Sequence, residues 1–193
     1  MTKYKKFYFI PIVITILFLV TYSIIKYVDI NKKYPQKEIC EFKVGQVISY
    51  CGYDFCAKSA EMNGYWGFKE KYNYEDTIGI EPFVEENKTH ILLVRITIKN
   101  TSNEEKPMPP VYYFTLQNDS GYSTNLDYYL FKAFYNYDLK ILQEPLRAKE
   151  SREITLTYSI DAKYLNNFDG ILLNKEDFCL VISLYPKKNY YKF

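Results

Sequence analysis

The sequence predicts an all-β sandwich preceded by one N-terminal transmembrane helix. Three observations carry that reading. The N-terminus holds a long run without a charged residue, several later runs alternate apolar and polar side chains, and loop-forming rather than helix-forming residues lie between them.

The uncharged run is Phe7 to Ile25, FYFIPIVITILFLVTYSII. At a helical rise of 1.5 Å per residue it spans about 28 Å, close to the hydrocarbon thickness of a bilayer. Pro11 falls in its first turns, where a helix tolerates proline best. A cleaved signal peptide is the competing assignment, since MTKYKK supplies a basic start. The apolar run exceeds a signal core, however, and no small-x-small cleavage site follows it. The expected organisation is a short cytoplasmic tail at 1–6, a transmembrane helix at 7–27, a charged stalk at 28–40 and a sandwich at 41–193. Lys3, Lys5 and Lys6 before the helix nearly balance Lys26, Lys32, Lys33 and Lys37 after it, so positive charge alone leaves orientation close to a tie. Long C-terminal domains translocate largely regardless of flanking charge, and the expected arrangement is single-pass with the C-terminal domain extracytoplasmic.

The strands announce themselves by period. In ILLVRITIK, Leu92, Val94, Ile96 and Ile98 share a face opposite Arg95, Thr97 and Lys99, which predicts a central core strand. NTSNEEKPMPP then breaks it with prolines that cannot donate to a ladder. Ile154, Leu156, Tyr158 and Ile160 alternate in EITLTYSI, as do Phe178, Leu180, Ile182 and Leu184 in FCLVISLY. Tyr112, Phe114 and Leu116 lead into the turn signal QNDSG. VISYCGYDFCAKSAEM reads as a strand pair or one bent strand. Two stretches fit neither period: Gly67 to Glu86, expected to include a short helix, and Asn125 to Leu142, readable as helix or irregular strand. One helical turn is expected at 162–165.

FKVGQVISYCGYDFCAKSAEM, ILLVRITIKNTSNEEKPM, EPLRAKESREITLTYSI and LVISLYPKK, in that order, resemble the telokin-like immunoglobulin-fold domains of uncharacterised Gram-positive, Clostridia-type membrane-anchored proteins. The matching positions are Asn100 and Thr101 at a strand end and Leu146, Ala148, Glu150 and Ser151 before a later strand. Ala148-Lys149 stands where the family usually has Pro-Gly. The resemblance covers Phe42 to Tyr185 and implies an immunoglobulin-like β-sandwich facing outward, with no reaction attached.

Composition narrows the function classes. A formal net charge of +2 lacks the concentrated basic surface that nucleic acid demands. Four cysteines, Cys40, Cys51, Cys56 and Cys179, are compatible with two disulfides on an exported domain. Cys51 and Cys56 are the expected local pair, because the intervening GYDF can form a turn. CGYDFC has no zinc-ligand spacing, so neither metal nor cofactor is expected. His90 is the one histidine, and it reads as a residue at the start of a strand rather than a general base. Glu75, Asp76, Glu81, Glu85 and Glu86 read as a solvated loop without the regular spacing of a calcium site. No nucleophile elbow, phosphate loop or dinucleotide fingerprint is present, and Ser23-Ile-Ile-Lys26 lies in the apolar run without companion motifs.

The 22 tyrosines are the feature with functional content. Tyr65, Trp66, Tyr72, Tyr74, Tyr128, Tyr129 and Tyr135 form the candidate recognition patch, since tyrosine buries area at low entropic cost and keeps a hydroxyl for bonding. The bland reading is that these rings cap the open ends of a small sandwich. The expected function is therefore non-enzymatic: a membrane-anchored extracytoplasmic domain that binds, or is accessory to, an envelope protein complex. Its expected partners are the lipid bilayer through residues 7–27 and an envelope protein or cell-wall glycan. The alternatives are a cell-wall-directed hydrolase and a sensor acting through another membrane protein.

Overall fold

Alternation along the chain is realised as two β-sheets facing each other. The computed structural model describes residues 5–33, 38–75, 89–136, 138–161, 175–184 and 186–193, and the chain divides into two units, 1–38 and 39–193. The expected turn at 162–165, Asp76, Glu81, Glu85 and Glu86, and Tyr137 lie outside the described residues.

The first unit is one helix, α1 (Lys5–Lys33), long and apolar enough to cross a membrane over Val13–Ile30. Its ends differ from those expected for the membrane span. The helix does not stop at 27, because Val28 to Lys33 contains no glycine or proline to break it. The stalk predicted at 28–40 is thus helical to Lys33 and already a strand at Ile39.

In the second unit one sheet has five strands, β1 (Ile39–Lys43), β9 (Lys188–Lys192), β8 (Phe178–Ser183), β5 (Thr115–Asn118) and β6 (Ser123–Asn125), in that spatial order. β1 runs parallel to β9, and the other pairs are antiparallel. The opposing sheet has four antiparallel strands in the order β2 (Ile48–Tyr50), β3 (Tyr53–Gly64), β4 (Thr89–Asn100) and β7 (Ser151–Asp161). β4 is therefore central, as its alternation predicts. Leu92, Val94, Ile96 and Ile98 meet Ile154, Leu156, Tyr158 and Ile160 of β7, and Leu116, Phe178, Leu180 and Tyr191 from the facing sheet complete the core.

Two buried tyrosines tie the sheets together by their polar ends. The Tyr158 hydroxyl donates to the Phe114 carbonyl at 3.0 Å. That of Tyr191 lies 2.6 Å from the Phe55 carbonyl and 3.0 Å from that of Gln46. Burial pushes both phenols up, so they stay neutral donors across the physiological range.

The segment from Leu126 to Gln143 crosses from β6 to β7 and contains α3 (Tyr128–Phe134) and α4 (Lys140–Gln143). Asp127 starts α3: its carboxylate accepts from the Leu130 amide at 3.0 Å and from the Ser159 hydroxyl on β7 at 2.7 Å. The ambiguous stretch Asn125 to Leu142 is thus two short helices. Neither period fits because its rings serve two different cores. Phe131 and Tyr135 enter the main core, while Leu130 and Phe134 reach a second one.

That second core lies on the outer face of the four-stranded sheet. The residues of β4 that alternate away from the main core, Ile91 and Leu93, are buried under α2 (Tyr65–Tyr72) and α3. Phe68 is its centre, fully buried, with ring centroids 5.2 Å from Tyr72, 5.5 Å from Tyr74 and 6.5 Å from Phe134.

Candidate functional site

The expected disulfide does not form: the Cys51 thiol is exposed and free, and that of Cys56 is buried and free. Strand register gives the reason. Tyr50 pairs with Tyr53, so the hairpin turn is Cys51-Gly52 itself rather than GYDF, with φ of +53° and +81°. Asp54, Phe55 and Cys56 then run on up β3. At about 3.3 Å per residue, Cys56 is carried well beyond the ~7 Å that a disulfide can bridge.

The predicted tyrosine patch is divided by the second core. Tyr65 and Tyr74 are buried, and Tyr72 and Tyr135 are half-buried. Trp66, Tyr128 and Tyr129 are exposed, at 48%, 48% and 62%. Tyr135 serves the architecture, since its hydroxyl accepts from the Thr155 amide at 2.6 Å and closes part of the free edge of β7. Tyr72 shares Glu61 of β3 with Lys71, and that bonding holds the Glu61 carboxyl below its ordinary range. Tyr72, Tyr74 and Phe134 also line a hollow of about 460 Å³ between α2 and α3, with Asn73, Glu75 and Asn136 at its polar side.

A second cleft, of about 480 Å³, opens at the other end of the sandwich. One wall is the β2–β3 hairpin, with Tyr50, Cys51, Tyr53 and Phe55; another is Pro107, Met108, Pro109 and Pro110; the third is the end of β8, Val181 to Leu184. Tyr113 and Phe114 close the corner. The proline wall stands apart because three of its four residues have no amide to offer a ladder. It is held in place instead by one side chain and by a backbone bridge just before it. The Tyr53 hydroxyl donates to the Pro107 carbonyl at 2.6 Å, and Lys106 and Leu146 exchange backbone hydrogen bonds of 2.9 and 2.8 Å. Gly52 suits the turn beneath it because its φ of +81° is one that side chains avoid; a Cβ there would also displace the flexible end of Lys106.

Asn100 is the peg under this wall. It is fully buried at the end of β4. Its amide Nδ2 faces the carbonyls of Glu104 at 2.7 Å, Leu146 at 3.1 Å and Arg147 at 3.0 Å. Its Oδ1 accepts from the Ser102 amide and hydroxyl at 3.0 and 2.7 Å. The Asn-Thr and Leu-x-Ala-x-Glu-Ser segments are therefore one structural device. Glu150 belongs to it: its carboxylate accepts from the Arg147 amide at 2.8 Å and from Arg152 at 2.9 Å, which holds its pKa below the usual value. Lys149 takes φ of +61°, and its ammonium donates to the Thr101 carbonyl at 2.6 Å.

Chemically the cleft is apolar and uncharged. Burial raises the Tyr53 phenol, and a hydrogen bond that the Tyr50 hydroxyl donates to Cys51, with some burial, raises that of Tyr50, so both remain protonated. Rings, prolines and aliphatic chains make the lining, with few polar atoms to orient a guest. Sequence reasoning took KPMPP for plain loop. The signal that marks the site is the run of prolines followed directly by Val-Tyr-Tyr, an apolar loop where a polar one was due.

These elements define a two-sheet β-sandwich with an aromatic second core near one end and an apolar cleft at the other, following an apolar helix. The chain belongs to the DUF5028 family, a domain of unknown function, whose model matches residues 31–189. Among solved structures it is similar to a conserved hypothetical protein from Bacillus anthracis, at 15% identity and a TM-score of 0.43, over 63% of this chain and 81% of that one. The yjhA protein from Bacillus subtilis is similar at 15% identity and 0.44, over 72% and 79%. An uncharacterized beta-sandwich protein from Clostridium difficile 630 is similar at 12% identity and 0.48, over 82% and 96%. No curated protein matches the chain.

Proposed function

We propose that this chain is a single-pass membrane protein whose sandwich works outside the cell membrane as a non-enzymatic binding module, accessory to an envelope protein complex. Its binding site is the apolar cleft. That cleft is the observation that carries the reading: its volume of about 480 Å³ lies in the range of small-ligand pockets, and its phenols, prolines and aliphatic chains suit the burial of an apolar group. Proton transfer, which a hydrolase needs, calls for converging titratable groups of another kind.

The sandwich is read as immunoglobulin-like. Support comes from the order β5-β8-β9 in one sheet, matching the C-F-G set, and from the β4–β7 pair opposite, matching B and E. The telokin-like assignment rests on the Asn100 and Leu146–Ser151 motifs.

Protease added to intact cells is expected to remove the sandwich and leave a membrane-embedded stub containing α1. Survival of the full-length chain while a known surface protein is digested contradicts the reading.

A further inference from the structure

The chain enters the sandwich at Ile39, which pairs with Lys188 at the start of β9, and β8 ends alongside, with Ser183 paired to Asn189. Ser183 and Leu184 wall the cleft. The tether from α1 and the cleft therefore share one end of the sandwich, and residues 34–38 are all the chain between α1 and β1. This same end leaves large apolar side chains in the open. Tyr113 is 70% exposed, Ile39 64%, Tyr112 52% and Leu184 50%. Tyr112 and Tyr113 project from one short turn with ring centroids 4.5 Å apart.

Apolar rings with a hydroxyl tip are the side chains that settle at headgroup depth in a bilayer. Glu104 and Glu105 stand beside Lys106 in one loop and Lys187 and Lys188 lie where β9 starts, so acidic and basic side chains are mixed at this end rather than gathered into a polybasic patch. The exposed apolar side chains are the contact this end has most of to offer a membrane.

We propose that the cleft end of the sandwich docks on the bilayer that α1 crosses, with Tyr112 and Tyr113 at headgroup level and a lipid acyl chain in the cleft between Met108, Phe114 and Ile182. The proposal rests on the membrane-anchored binding reading above and names its ligand. Apolar contact makes the docking insensitive to salt, unlike a polybasic attachment.

The chain supplies its own reporters. Of its three methionines, Met108 lines the cleft, whereas Met62 lies on β3 nine residues beyond Tyr53, about 30 Å along the strand. The full chain, labelled with [methyl-13C]methionine, is placed in phosphatidylcholine nanodiscs containing a trace of phospholipid with a nitroxide on its acyl chain. Broadening of the Met108 methyl is expected to be several-fold greater than that of Met62, and unchanged by added salt. The Tyr112→Ser, Tyr113→Ser double variant is expected to bring the broadening of Met108 close to the Met62 level while leaving the Met62 shift and the melting temperature in place. Equal broadening of Met108 and Met62 in the wild type, or broadening of Met108 that the double variant leaves intact, overturns the proposal. If protease digestion from outside succeeds and Met108 is untouched by the labelled lipid, the lipid assignment is overturned while the anchored binding reading stands. If digestion also fails, the anchored binding reading falls with it.

Discussion

Phe68→Ala is expected to destabilise the sandwich by about 3–5 kcal/mol, a lowering of the melting temperature by roughly 6–20 °C for a domain of this size. The ring is fully buried between α2, α3 and the outward face of β4, and three other aromatic rings pack within 6.5 Å of it, centroid to centroid. Removing it opens a cavity that two short helices cannot easily close, because Leu130 and Phe134 are held by a helix whose Phe131 is anchored in the main core. Trp66→Ala is the contrast. Trp66 neighbours Phe68 in sequence but is 48% exposed, and its removal is expected to cost about 1 kcal/mol or less. Differential scanning calorimetry of the two variants separates architecture from surface. Equal and small effects would mean that the second core is not a core.

Asn100→Leu comes next in size, at an expected loss of about 2–4 kcal/mol. The substitution fills a similar volume but removes every side-chain bond by which residue 100 gathers the 101–106 and 146–150 loops, leaving the Lys106–Leu146 backbone pair and the Lys149 contact to Thr101. The Arg147 and Glu104 carbonyls and the Ser102 amide are left to find other partners. Asn100→Asp is expected to be worse, since it sets a negative charge against the same three carbonyls in a fully buried site. Urea denaturation of both variants checks the order. A fully stable Asp variant would show that the peg bears no weight.

The sequence made the main core readable and hid both ends of the sandwich. β4, β7 and β8 were legible because each holds one face against a single core, and a period of two survives in the text. β4 also concealed something: its outward Ile91 and Leu93 are apolar too, and that second apolar face is the trace of the helices that cover it. The tyrosines divide between architecture and surface for the same reason. Tyr65 and Tyr74 look like recognition residues in composition, yet β4 offers them an apolar surface that only the fold reveals. The disulfide expectation failed on one residue of turn chemistry. Gly52 with Cys51 makes a two-residue hairpin, and a cysteine inside the turn cannot pair with one running up the strand. The cleft was invisible because its walls come from residues 50–55, 107–114 and 181–184, three separate stretches that no local pattern joins.

The claim that most needs testing is that this cleft accepts an apolar guest. Benzene is a suitable probe, small enough to enter and without polar groups that other sites would prefer. It is added in buffer to the full chain, labelled with [methyl-13C]methionine and held in amphipol without lipid, so that no bilayer takes up the probe and no acyl chain competes for the cleft. Met108 is then expected to shift progressively and saturably through the ring current of the bound guest, while Met62 stays in place. A Met108 signal that does not move, or that moves only in step with Met62, would contradict the assignment of the Pro107–Leu184 end as the binding site.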